Sequence, residues 1–510
     1  MKGNELSRRN FIKFGIAGGA AAMTGAAVAA ENVTFDESYD VVVIGTGFAG
    51  LSCATKCAAA KLKVLLVDKM PVIGGNSAIC GGFMAVPLSK YQKALGHKDS
   101  REAFIGDCLK DGLGINHVDL LNVIFDRARD AEELVESVGG KTDHRITFES
   151  GHSVPRSIAT RSGTGADYVM PMYEALKKLP NVTFKTRCKF DDFVMNKEGR
   201  VVGIVCREGY KFNAELESDD VQNTSGTKKT FEAKRGVMLA TGGFSRDKWF
   251  RQIQDPRVVP SIDSTNHPGA TAGALLKAFD IGAVPVQISW LQFLPYCSPF
   301  EKGYGISSNI IEHCGFDYGM VVNPKTGKRF MDEHAGRKIK TDAMLNVIGN
   351  DENYPLAVFD TDAIAAINPA YTKAPLEQGT AKPFSTLDEL ADHYKMDKAA
   401  FKAEVGRFNG FVKNGKDTDF GKPLQYHKGI SIKTAPFYAI PCCPKVHHTM
   451  GGLLINTKAQ VISSKTHEPI PGLYAGGEVT GGIHGASRLG TVAVADALTF
   501  GMVAGEQLSA

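Results

Sequence analysis

The sequence predicts an α/β protein in which a nucleotide-binding sheet is interrupted by an inserted α+β region. Three observations support this prediction. A β-branched run at 41–44 leads into spaced glycines, a block at about 294–449 shows no such motif, and glycines return at 476–490. Apolar strands followed by glycines and an Ala-rich helix are typical of a parallel sheet with helices on its faces. We therefore expect the inserted region to divide one domain into two stretches of the chain.

The first glycine motif has the spacing of a dinucleotide fingerprint. Gly45, Gly47 and Gly50 follow the apolar run and open an Ala-rich helix, and a second apolar run at 64–67 ends at Asp68. Such glycines allow a tight turn and close approach of a pyrophosphate, the helix N-terminus favours the phosphates, and the acid accepts from a ribose hydroxyl. A βαβ unit of the Rossmann type is expected here.

Further glycine clusters favour FAD over a nicotinamide dinucleotide. The chain reads Gly-Gly-Asn-Ser at 74–77 and Gly-Gly at 81–82, and an apolar strand at 239–244 runs into another glycine pair. Glycines let the main chain approach a bulky ligand because no Cβ stands in the way. We expect one non-covalent FAD per chain. The residues expected to contact it, besides the fingerprint, are Phe48, Ala49, Lys69, Gly74, Gly75, Asn76, Ser77, Gly81, Gly82, Thr241, Gly242 and Gly243.

The remaining pattern divides the chain into four segments. Residues 101–140 show helical spacing of apolar side chains, and short alternating runs from 182 to 238 are typical of antiparallel hairpins. The block at 294–449 mixes short β segments with helices and predicts an inserted α+β clamp, or capping, domain. The predicted segments are a signal peptide at 1–30, the FAD-binding domain at 31–293 and 450–510, and the clamp domain at 294–449.

The first thirty residues have the features of an export signal. A twin-arginine sequence, SRRNFIK at 7–13, precedes an Ala/Gly-rich stretch, and 27–29 reads Ala-Val-Ala, a small-residue cleavage pattern. The apolar stretch is too short and too rich in small residues for a membrane span. We expect the twin-arginine export machinery to carry the folded, FAD-loaded protein to the periplasm, without stable membrane insertion.

Charge and cysteine spacing exclude several classes of function. Lys and Arg total 59 against 55 Asp and Glu, so no basic surface for nucleic acid is expected. The ten cysteines show no metal-binding spacing, and without a Cys-x-x-Cys-His motif we expect no haem on this chain. At Cys442 and Cys443 the apolar context favours buried thiols over a strained vicinal disulfide.

A stretch near the C-terminus places carboxylate-binding residues beside a glycine-rich backbone. His447 and His448 precede Gly477 and Glu478, and Arg488 follows them closely. The planar fork of arginine matches a carboxylate, and histidine donates hydrogen bonds at neutral pH. This stretch therefore predicts recognition of a carboxylate next to the FAD.

The order of these motifs resembles the flavoprotein part of soluble periplasmic fumarate reductases, the flavocytochrome c family, with related urocanate and methacrylate-type enoate reductases. The resemblance covers nearly all of the chain after residue 31. It implies that a clamp domain covers the substrate, that a hydride passes from the flavin N5 to an alkene carbon, and that an arginine protonates the other carbon. Its motifs are the leader, the fingerprint, GGNS, ATGGF, TNHPGAT at 265–271, GKRFMDEHAGR at 327–337, APFYAI at 435–440, HHTMGG and RLG.

The resemblance assigns roles to individual residues. It places the proton-donating arginine on Arg337 and the acid that relays protons to it on Glu312. It places the carboxylate ligands on His448 and Arg488, and it places His447 beside the flavin. The further cofactor contacts that it implies are Gly477, Glu478 on the ribityl chain, Arg488 and Leu489.

Several positions depart from the fumarate pattern. The family residues that hold the second carboxylate of fumarate fall on Cys297, within one residue, and on Ile311, and neither side chain binds a carboxylate. Burying an unpaired carboxylate against them would be costly. The second arginine of the family's proton relay falls on Gly315, so proton supply must be rearranged, through His313 or water. Thr491 replaces a glycine after RLG.

These departures predict a pocket with one end for a carboxylate and an apolar far end. The function predicted is periplasmic, FAD-dependent reduction of a monocarboxylic 2-enoate, such as acrylate, methacrylate, crotonate or an aryl-acrylate. A separate multihaem cytochrome c is expected to supply the electrons. The residues expected to line the pocket are Tyr296, Cys297, Ile311, Thr491, His448 and Arg488.

Two alternative functions stay open from the sequence. A fumarate reductase would need donors for the second carboxylate that the sequence does not identify. A non-catalytic flavoprotein that relays electrons would need no proton donor, so retention of Arg337, His448 and Arg488 argues against it.

Overall fold

The structure, a computed structural model, describes residues 27–149, 151–425 and 427–510. The predicted leader lies outside the described residues, apart from 27–30, and Val28 and Ala29 pair with the edge of the main sheet. Within the described ranges, none of the helices is both long and apolar enough to cross a membrane.

Strands occur throughout the described part of the chain. In chain order they are β1 Val28–Ala29, β2 Glu37–Ile44, β3 Val64–Val67, β4 Phe83–Ala85, β5 Thr142–Thr147, β6 Ser157–Thr160, β7 Val182–Lys185, β8 Cys188–Met195, β9 Val201–Glu208, β10 Thr227–Leu239, β11 Pro285–Val286, β12 Leu291–Cys297, β13 Met320–Asn323, β14 Lys328–Arg329, β15 Leu356–Asp360, β16 Lys382–Phe384, β17 Phe437–Pro441, β18 Cys443–Thr449, β19 Gly452–Leu453, β20 Gln460–Ile462 and β21 Pro469–Ala475.

Helices connect these strands, and a π-helix spans Ile311–Tyr318. Short 3-10 helices span Ala30–Asn32 and Gly349–Asp351. The α-helices of the described residues are α1 Phe48–Ala59, α2 Gly75–Ile79, α3 Lys90–Ala94, α4 Arg101–Asp111, α5 Val118–Ser137, α6 Ala166–Lys177, α7 Asp219–Gln222, α8 Lys248–Gln254, α9 Gly273–Asp280, α10 Ser308–Ile310, α11 Arg337–Ile348, α12 Thr361–Ala366, α13 Pro369–Glu377, α14 Leu387–His393, α15 Lys398–Asn414 and α16 Val492–Ser509.

The main sheet carries the predicted βαβ unit at its centre. Among the described residues it has nine strands, and β2 lies between β10 and β3. β2 runs parallel to both neighbours, with Val43 paired to Met238 on one side and to Leu66 on the other. The apolar run predicted at 64–67 is β3 itself, and Asp68 follows it directly. The Rossmann-like arrangement is confirmed.

One part of the hairpin prediction for 182–238 is wrong. β8, β9 and β10 form antiparallel pairs as expected, but β7 runs parallel to β3. Helix α6 comes before β7 and returns the chain for a parallel pairing, as a crossover helix does. The four residues of β7 are too few to reveal that direction. The helical prediction for 101–140 is confirmed by α4 and α5.

The inserted region forms its own antiparallel sheet. Within the described residues five strands follow the order β14-β13-β15-β17-β16. Alternate residues of β15 enter different apolar clusters: Ala357 and Phe359 face one, and Leu356 and Val358 the other. Helices therefore cover both faces of this sheet, as in an α+β domain. The boundaries proposed at 294 and 449 fall near β12 and β18, the strands that link it to the main sheet.

Close backbone contact joins α1 to the main sheet. Gly45 has a φ of 105°, and a Cβ there would lie 2.2 Å from the carbonyl oxygen of Ala240. A Cβ on Gly50 would lie 2.0 Å from the carbonyl oxygen of Gly45. Helix and turn approach this closely only because both positions are glycine.

We predict that Gly50→Ala lowers the free energy of unfolding by about 1–3 kcal/mol, because the added methyl group overpacks this contact. Gly406→Ala in α15 is the matched control, since a Cβ there meets no described atom within 4 Å. That control should be more stable than wild type by about 0.5–1 kcal/mol. Thermal unfolding measures both, and a Gly50→Ala variant as stable as wild type would contradict the packing argument.

Candidate active site

The N-terminus of helix α1 forms an anion-binding end. Its N-cap is Gly47, which provides no side-chain hydrogen bond to the first amides. The Phe48 amide donates to Ser77 Oγ at 2.9 Å, and a Cβ on Gly47 would lie 2.9 Å from the same oxygen. Because α1 is 12 residues long, its dipole and free amides favour a phosphate here.

Asp68 lies across the fingerprint from this helix end. Its Oδ2 accepts from the amide of Thr46 at 3.2 Å and from the Thr46 hydroxyl at 2.5 Å. Burial raises the pKa of Asp68 against these hydrogen bonds. The ammonium of Lys69 contacts Thr271 and lies 3.5 Å from Asp220. The ammonium of Lys69 is therefore held by protein groups, and its contact with the cofactor stays a prediction.

The glycine clusters form a cradle with free space above the backbone. Gly75 and Gly242 have φ angles of 44° and 74°, and a Cβ on either would meet no described atom within 4 Å. At Gly243 a Cβ would instead collide with Thr449 and Glu478. Main chain without side chains, next to open space, can accommodate a long, flat cofactor such as FAD.

Contacts between loops fix two further predicted cofactor residues. The side chain of Asn76 accepts from the His267 amide at 2.7 Å and hydrogen-bonds Glu478. Gly477 has a φ of 74° and lies against α1, where a Cβ would be 3.4 Å from Ala49. The first and last parts of the chain thus meet around the same cradle.

His447 is held on strand β18 in a neutral state. Its Nδ1 lies 2.7 Å from Thr265 Oγ1. Burial, together with the nearby charges of Arg488 and Arg337, lowers the pKa of His447 to about 3. The ring is therefore uncharged at physiological pH and suits a contact with a neutral aromatic system.

His448 follows it and offers an unused ring nitrogen. The pairing of β18 with β12 sets His448 opposite Gln292, and Nδ1 lies 3.5 Å from Glu478 Oε1. Nε2 is buried without a partner among the described residues. Burial, with the charge of Arg488, lowers the pKa of His448 well below its usual value. Its Nε2 can donate to a ligand when the ring proton sits on that nitrogen.

Arg488 is held through its backbone. Its amide donates to Gln292 Oε1 at 2.9 Å, and Gln292 Nε2 donates back to the Arg488 carbonyl at 3.3 Å. The side chain donates to the Leu489 carbonyl at 3.1 Å, whereas its buried Nε has no partner among the described residues. Burial and the neighbouring Arg337 lower the pKa of Arg488 to about 10, with Asp111 opposing. It is therefore still a cation at neutral pH.

Arg337 enters the site from the inserted region as the first residue of α11. The N-cap, Gly336, provides no side-chain hydrogen bond, and Arg337 itself is half-buried. Burial raises the pKa of the nearby Glu312 on the π-helix, while the charges of His313 and Arg337 oppose this shift. A cation at a helix N-terminus adds to the positive end of the helix dipole. This space therefore attracts an anion.

Tyr296 and Cys297 are neighbours on β12, at an irregularity in its pairing with β18, and both side chains enter the same apolar cluster. The hydroxyl of Tyr296 accepts from Lys340 Nζ at 2.8 Å. Burial raises the pKa of Tyr296, and the nearby Arg337 opposes this shift. The Cys297 thiol is fully buried and accepts from Ser308 at 3.6 Å. Tyr296 therefore lies beside the cations of α11, and the place of Cys297 in the pocket stays a prediction.

The two remaining pocket residues differ in character. Ile311 is fully buried at the start of the π-helix, beside Glu312. Thr491 has a φ of 65°, and its hydroxyl lies 2.7 Å from Ser157 Oγ and 2.6 Å from the carbonyl oxygen of Gly490. Ile311 thus supplies apolar surface, whereas the Thr491 hydroxyl already has protein partners.

A cavity of about 390 Å³ opens between β12 and α11. It is lined by Gln292, which binds the Arg488 backbone, and by Ser487, which precedes Arg488 in the chain. Trp290, just before β12, and Thr341 of α11 also line it. The cavity therefore lies beside the backbone segment that carries Arg488.

Three residues at this site carried no signal in the sequence. Gln292 holds the backbone of Arg488, although the two are 196 residues apart. Burial raises the pKa of Asp111 on α4, and the charges of Arg488 and Arg337 oppose this shift. Lys340 is buried against Tyr296. None of the three residues belongs to a recognisable local motif, and only their contacts with distant residues show that they belong to the site.

The chain is similar to known flavoproteins over nearly all of its length. The model of the FAD binding domain family matches residues 40–494, and that of the twin-arginine translocation signal matches 5–25. The chain is 38% identical over 504 residues to the acrylate reductase flavoprotein subunit of Shewanella woodyi, which covers 98% of this chain and 97% of that protein. It is 33% identical to a fumarate reductase (cytochrome) of Shewanella frigidimarina, over 92% of this chain and 77% of that protein.

A solved structure supports the same relationship. The open conformation of a flavocytochrome c3 fumarate reductase superposes with a TM-score of 0.79 at 30% identity, over 94% of this chain and 79% of that chain. The fold is that of an FAD-dependent oxidoreductase. The chain belongs to the FAD-binding family and is of the fumarate reductase type. The predictions of FAD as cofactor and of twin-arginine export to the periplasm are confirmed.

We predict that Gly47→Val lowers the FAD content of the purified protein, because the new side chain would fill the mouth of α1 and crowd Ser77 Oγ. Flavin absorbance per chain measures this. Gly106→Val in α4 is the control, since a Cβ there meets no described atom within 4 Å. Full FAD content in Gly47→Val would show that α1 does not hold the pyrophosphate.

Proposed function

We propose that the protein reduces the carbon–carbon double bond of an α,β-unsaturated monocarboxylate. One observation carries the proposal: Arg488 Nε and His448 Nε2 are buried and unpartnered among the described residues. Arg337, at the start of α11, lies close enough for its charge to act on Arg488. A carboxylate is the ligand that satisfies such donors. When bound, FAD supplies the hydride that reduces the double bond.

Carboxylate recognition and catalysis use the same donors. Adding a hydride to the β-carbon places negative charge on the α-carbon and the carboxylate oxygens. Donors from Arg488 and His448 therefore meet more charge in the transition state than in the bound substrate. Because both groups are buried, their interaction with that charge is weakly screened by water.

Arg337 is the proposed proton donor to the α-carbon. An arginine is a weak acid, yet the carbanion formed by hydride addition is a far stronger base than the guanidine left behind. A permanently charged donor also draws the anionic substrate toward it. Glu312 stands close enough to Arg337 for their charges to interact.

The far end of the pocket favours a substrate with one carboxylate. Ile311 is fully buried there, and the ring of Tyr296 packs edge-on against Phe316 at 5.0 Å. The Tyr296 hydroxyl is already bonded to Lys340 at 2.8 Å. A second carboxylate would lose its water with few free donors in return. A short or apolar tail, as in acrylate, methacrylate, crotonate or an aryl-acrylate, fits this end better.

The relatives support this reading of substrate and partner. The acrylate reductase flavoprotein subunit matches this chain over nearly its full length. Its name describes one subunit of an assembly, and the fumarate reductase relative is named as a cytochrome. We propose that a separate cytochrome c delivers electrons to the FAD of this protein in the periplasm.

Fumarate reduction is the second candidate. The Tyr296 hydroxyl and the Lys340 ammonium are donors near the far end that the sequence had not revealed, and a fumarate reductase is 33% identical to this chain. A flavoprotein that only relays electrons would leave the donors on Arg488 and His448 without a role.

We predict that kcat/KM for at least one monocarboxylic enoate exceeds that for fumarate by about tenfold or more, since a tenfold ratio needs only about 1.4 kcal/mol. The assay follows oxidation of reduced methyl viologen over a panel that includes acrylate, methacrylate, crotonate, cinnamate and fumarate. Fumarate as the best substrate of the panel would overturn the pocket argument.

We predict that Arg337→Lys and Arg337→Ala lose turnover by about 100- to 10,000-fold, the usual contribution of a positioned proton donor. The flavin spectrum and its reduction by dye should remain, because Arg337 is not part of the FAD cradle. Arg127→Lys is the control, an arginine paired with Glu506 at 2.8 Å on the nucleotide-binding part. If Arg337→Lys keeps more than about a tenth of the activity, another residue donates the proton.

A further inference from the structure

Lys340 is buried on α11, one turn after Arg337. Only 5% of the residue is exposed, although lysine is rarely buried without a partner. Residues three apart on a helix share a face, so Lys340 and Arg337 point to the same side of α11. Lys340 belongs to none of the sequence motifs and takes no part in the reduction as proposed.

The ammonium of Lys340 has one specific partner, the phenol of Tyr296. Nζ donates to Tyr296 Oη at 2.8 Å and lies 4.7 Å from the centre of the same ring. The ring of Phe316 lies 5.5 Å away. Aromatic surface therefore surrounds the ammonium and leaves the phenol oxygen as its main polar contact.

The same phenol lies beside the proposed proton donor. Burial raises the pKa of Tyr296, and the nearby Arg337 opposes this shift. Lys340 donates to the phenol oxygen at 2.8 Å, so Tyr296 is close to both cations. Because a hydroxyl both donates and accepts, it can pass a proton from one neighbour to the other.

The second relay arginine of the fumarate reductases has no equivalent at Gly315 in this protein. The resemblance to fumarate reductases places the second relay arginine at Gly315, where a Cβ would lie 2.6 Å from the Cβ of Ala357. No larger side chain fits there without moving β15. Proton supply to Arg337 therefore needs a different residue in this protein.

The charges around Lys340 tune it for proton exchange. Burial lowers the pKa of Lys340 to about 8, with the charge of Arg337 acting in the same direction and those of Glu312, Asp317 and Asp332 opposing. At neutral pH it is mostly protonated and gives up its proton easily. Asp317 is about 40% exposed, and its charge acts on Lys340. The groups that face Lys340 are Tyr296 from β12, Glu312 and Asp317 from the π-helix, Asp332 and His334 from the preceding loop, and Arg337 from its own helix.

We propose that Lys340 supplies, through Tyr296, the proton that replaces the one Arg337 gives to the substrate. The proposal rests on the proposed function, because it concerns the same reduction. Lys340 and Tyr296 are positioning and relay residues of this pathway and need not touch the substrate.

The relay balances in protons and electrons. The hydride carries two electrons and one hydrogen to the β-carbon, and Arg337 gives one proton to the α-carbon. The neutral guanidine takes the hydroxyl proton of Tyr296, and the phenol oxygen takes a proton from the Lys340 ammonium. Solvent then returns one proton to the Lys340 amine. Each turnover consumes the hydride and one solvent proton.

The test is the pH dependence of kcat between pH 6 and 10 for the best enoate, with reduced methyl viologen as electron source. In wild type, kcat should fall above about pH 8, because Lys340 then loses its proton. Lys340→Met and Tyr296→Phe should each lower kcat at pH 7 by about 10- to 100-fold and abolish that alkaline fall, with KM changed less than about threefold. Lys340→Arg should restore much of kcat and move the fall to higher pH.

Two controls separate this role from a structural one. Lys422→Met removes another buried lysine, whose ammonium donates to the carbonyl oxygens of Phe316 and Gly319 at 2.8 and 2.6 Å. This variant should have a lower unfolding temperature, and its kcat should still fall at alkaline pH. His313→Gln tests the competing route from solvent through the ring that lies 3.0 Å from Asp317. Flavin absorbance confirms that each variant carries FAD.

Each outcome decides a different point. If Lys340→Met keeps the wild-type kcat and pH profile, or if only His313→Gln abolishes the fall, the relay is wrong although enoate reduction stands. If Lys340→Met and Tyr296→Phe raise KM for fumarate while kcat is unchanged, the pair binds a second carboxylate and relays nothing. If wild type reduces no member of the panel, the proposed function fails and the relay fails with it.

Discussion

The pairing of β12 with β18 is the contact on which the site depends. Through these two strands the chain enters and leaves the inserted region, and they pair with each other. β12 carries Gln292 and Tyr296, and β18 carries His447 and His448. The ladder therefore fixes where the inserted region lies and, at the same time, the direction of the side chains that face the cofactor and the ligand.

A second constraint is the concentration of positive charge at this junction. Arg488 and Lys340 are buried, and burial lowers the pKa of both. Burying cations costs free energy that hydrophobic packing does not return. Asp111 and Glu312 offset part of the cost through their charges, and the donors left on Arg488 and His448 remain unsatisfied among the described residues. A bound carboxylate would complete this balance, so the arrangement sacrifices stability for ligand binding.

Features set by local sequence were predicted correctly, whereas features set by contacts between distant residues were not. The βαβ unit was predictable because glycine spacing and apolar runs at 41–68 are local. The direction of β7 was not, since the partner of a short strand is set by distant pairing that its own residues do not reveal. The roles of Gln292 and Lys340 depend on contacts with Arg488 and Tyr296 across long stretches of chain.

The two halves of the proposed reaction come from different parts of the fold. The FAD cradle and Arg488 belong to the nucleotide-binding part, whereas Arg337, Glu312 and Lys340 belong to the inserted region. The carboxylate would therefore be anchored on one side of the junction and the double bond protonated from the other. Because Gln292 joins β12 to the Arg488 backbone at 2.9 Å, the distance between anchor and proton donor is set at the junction. In the proposed reaction, displacing the inserted region would move Arg337 away from the anchored carboxylate, whereas most of the FAD cradle lies outside that region.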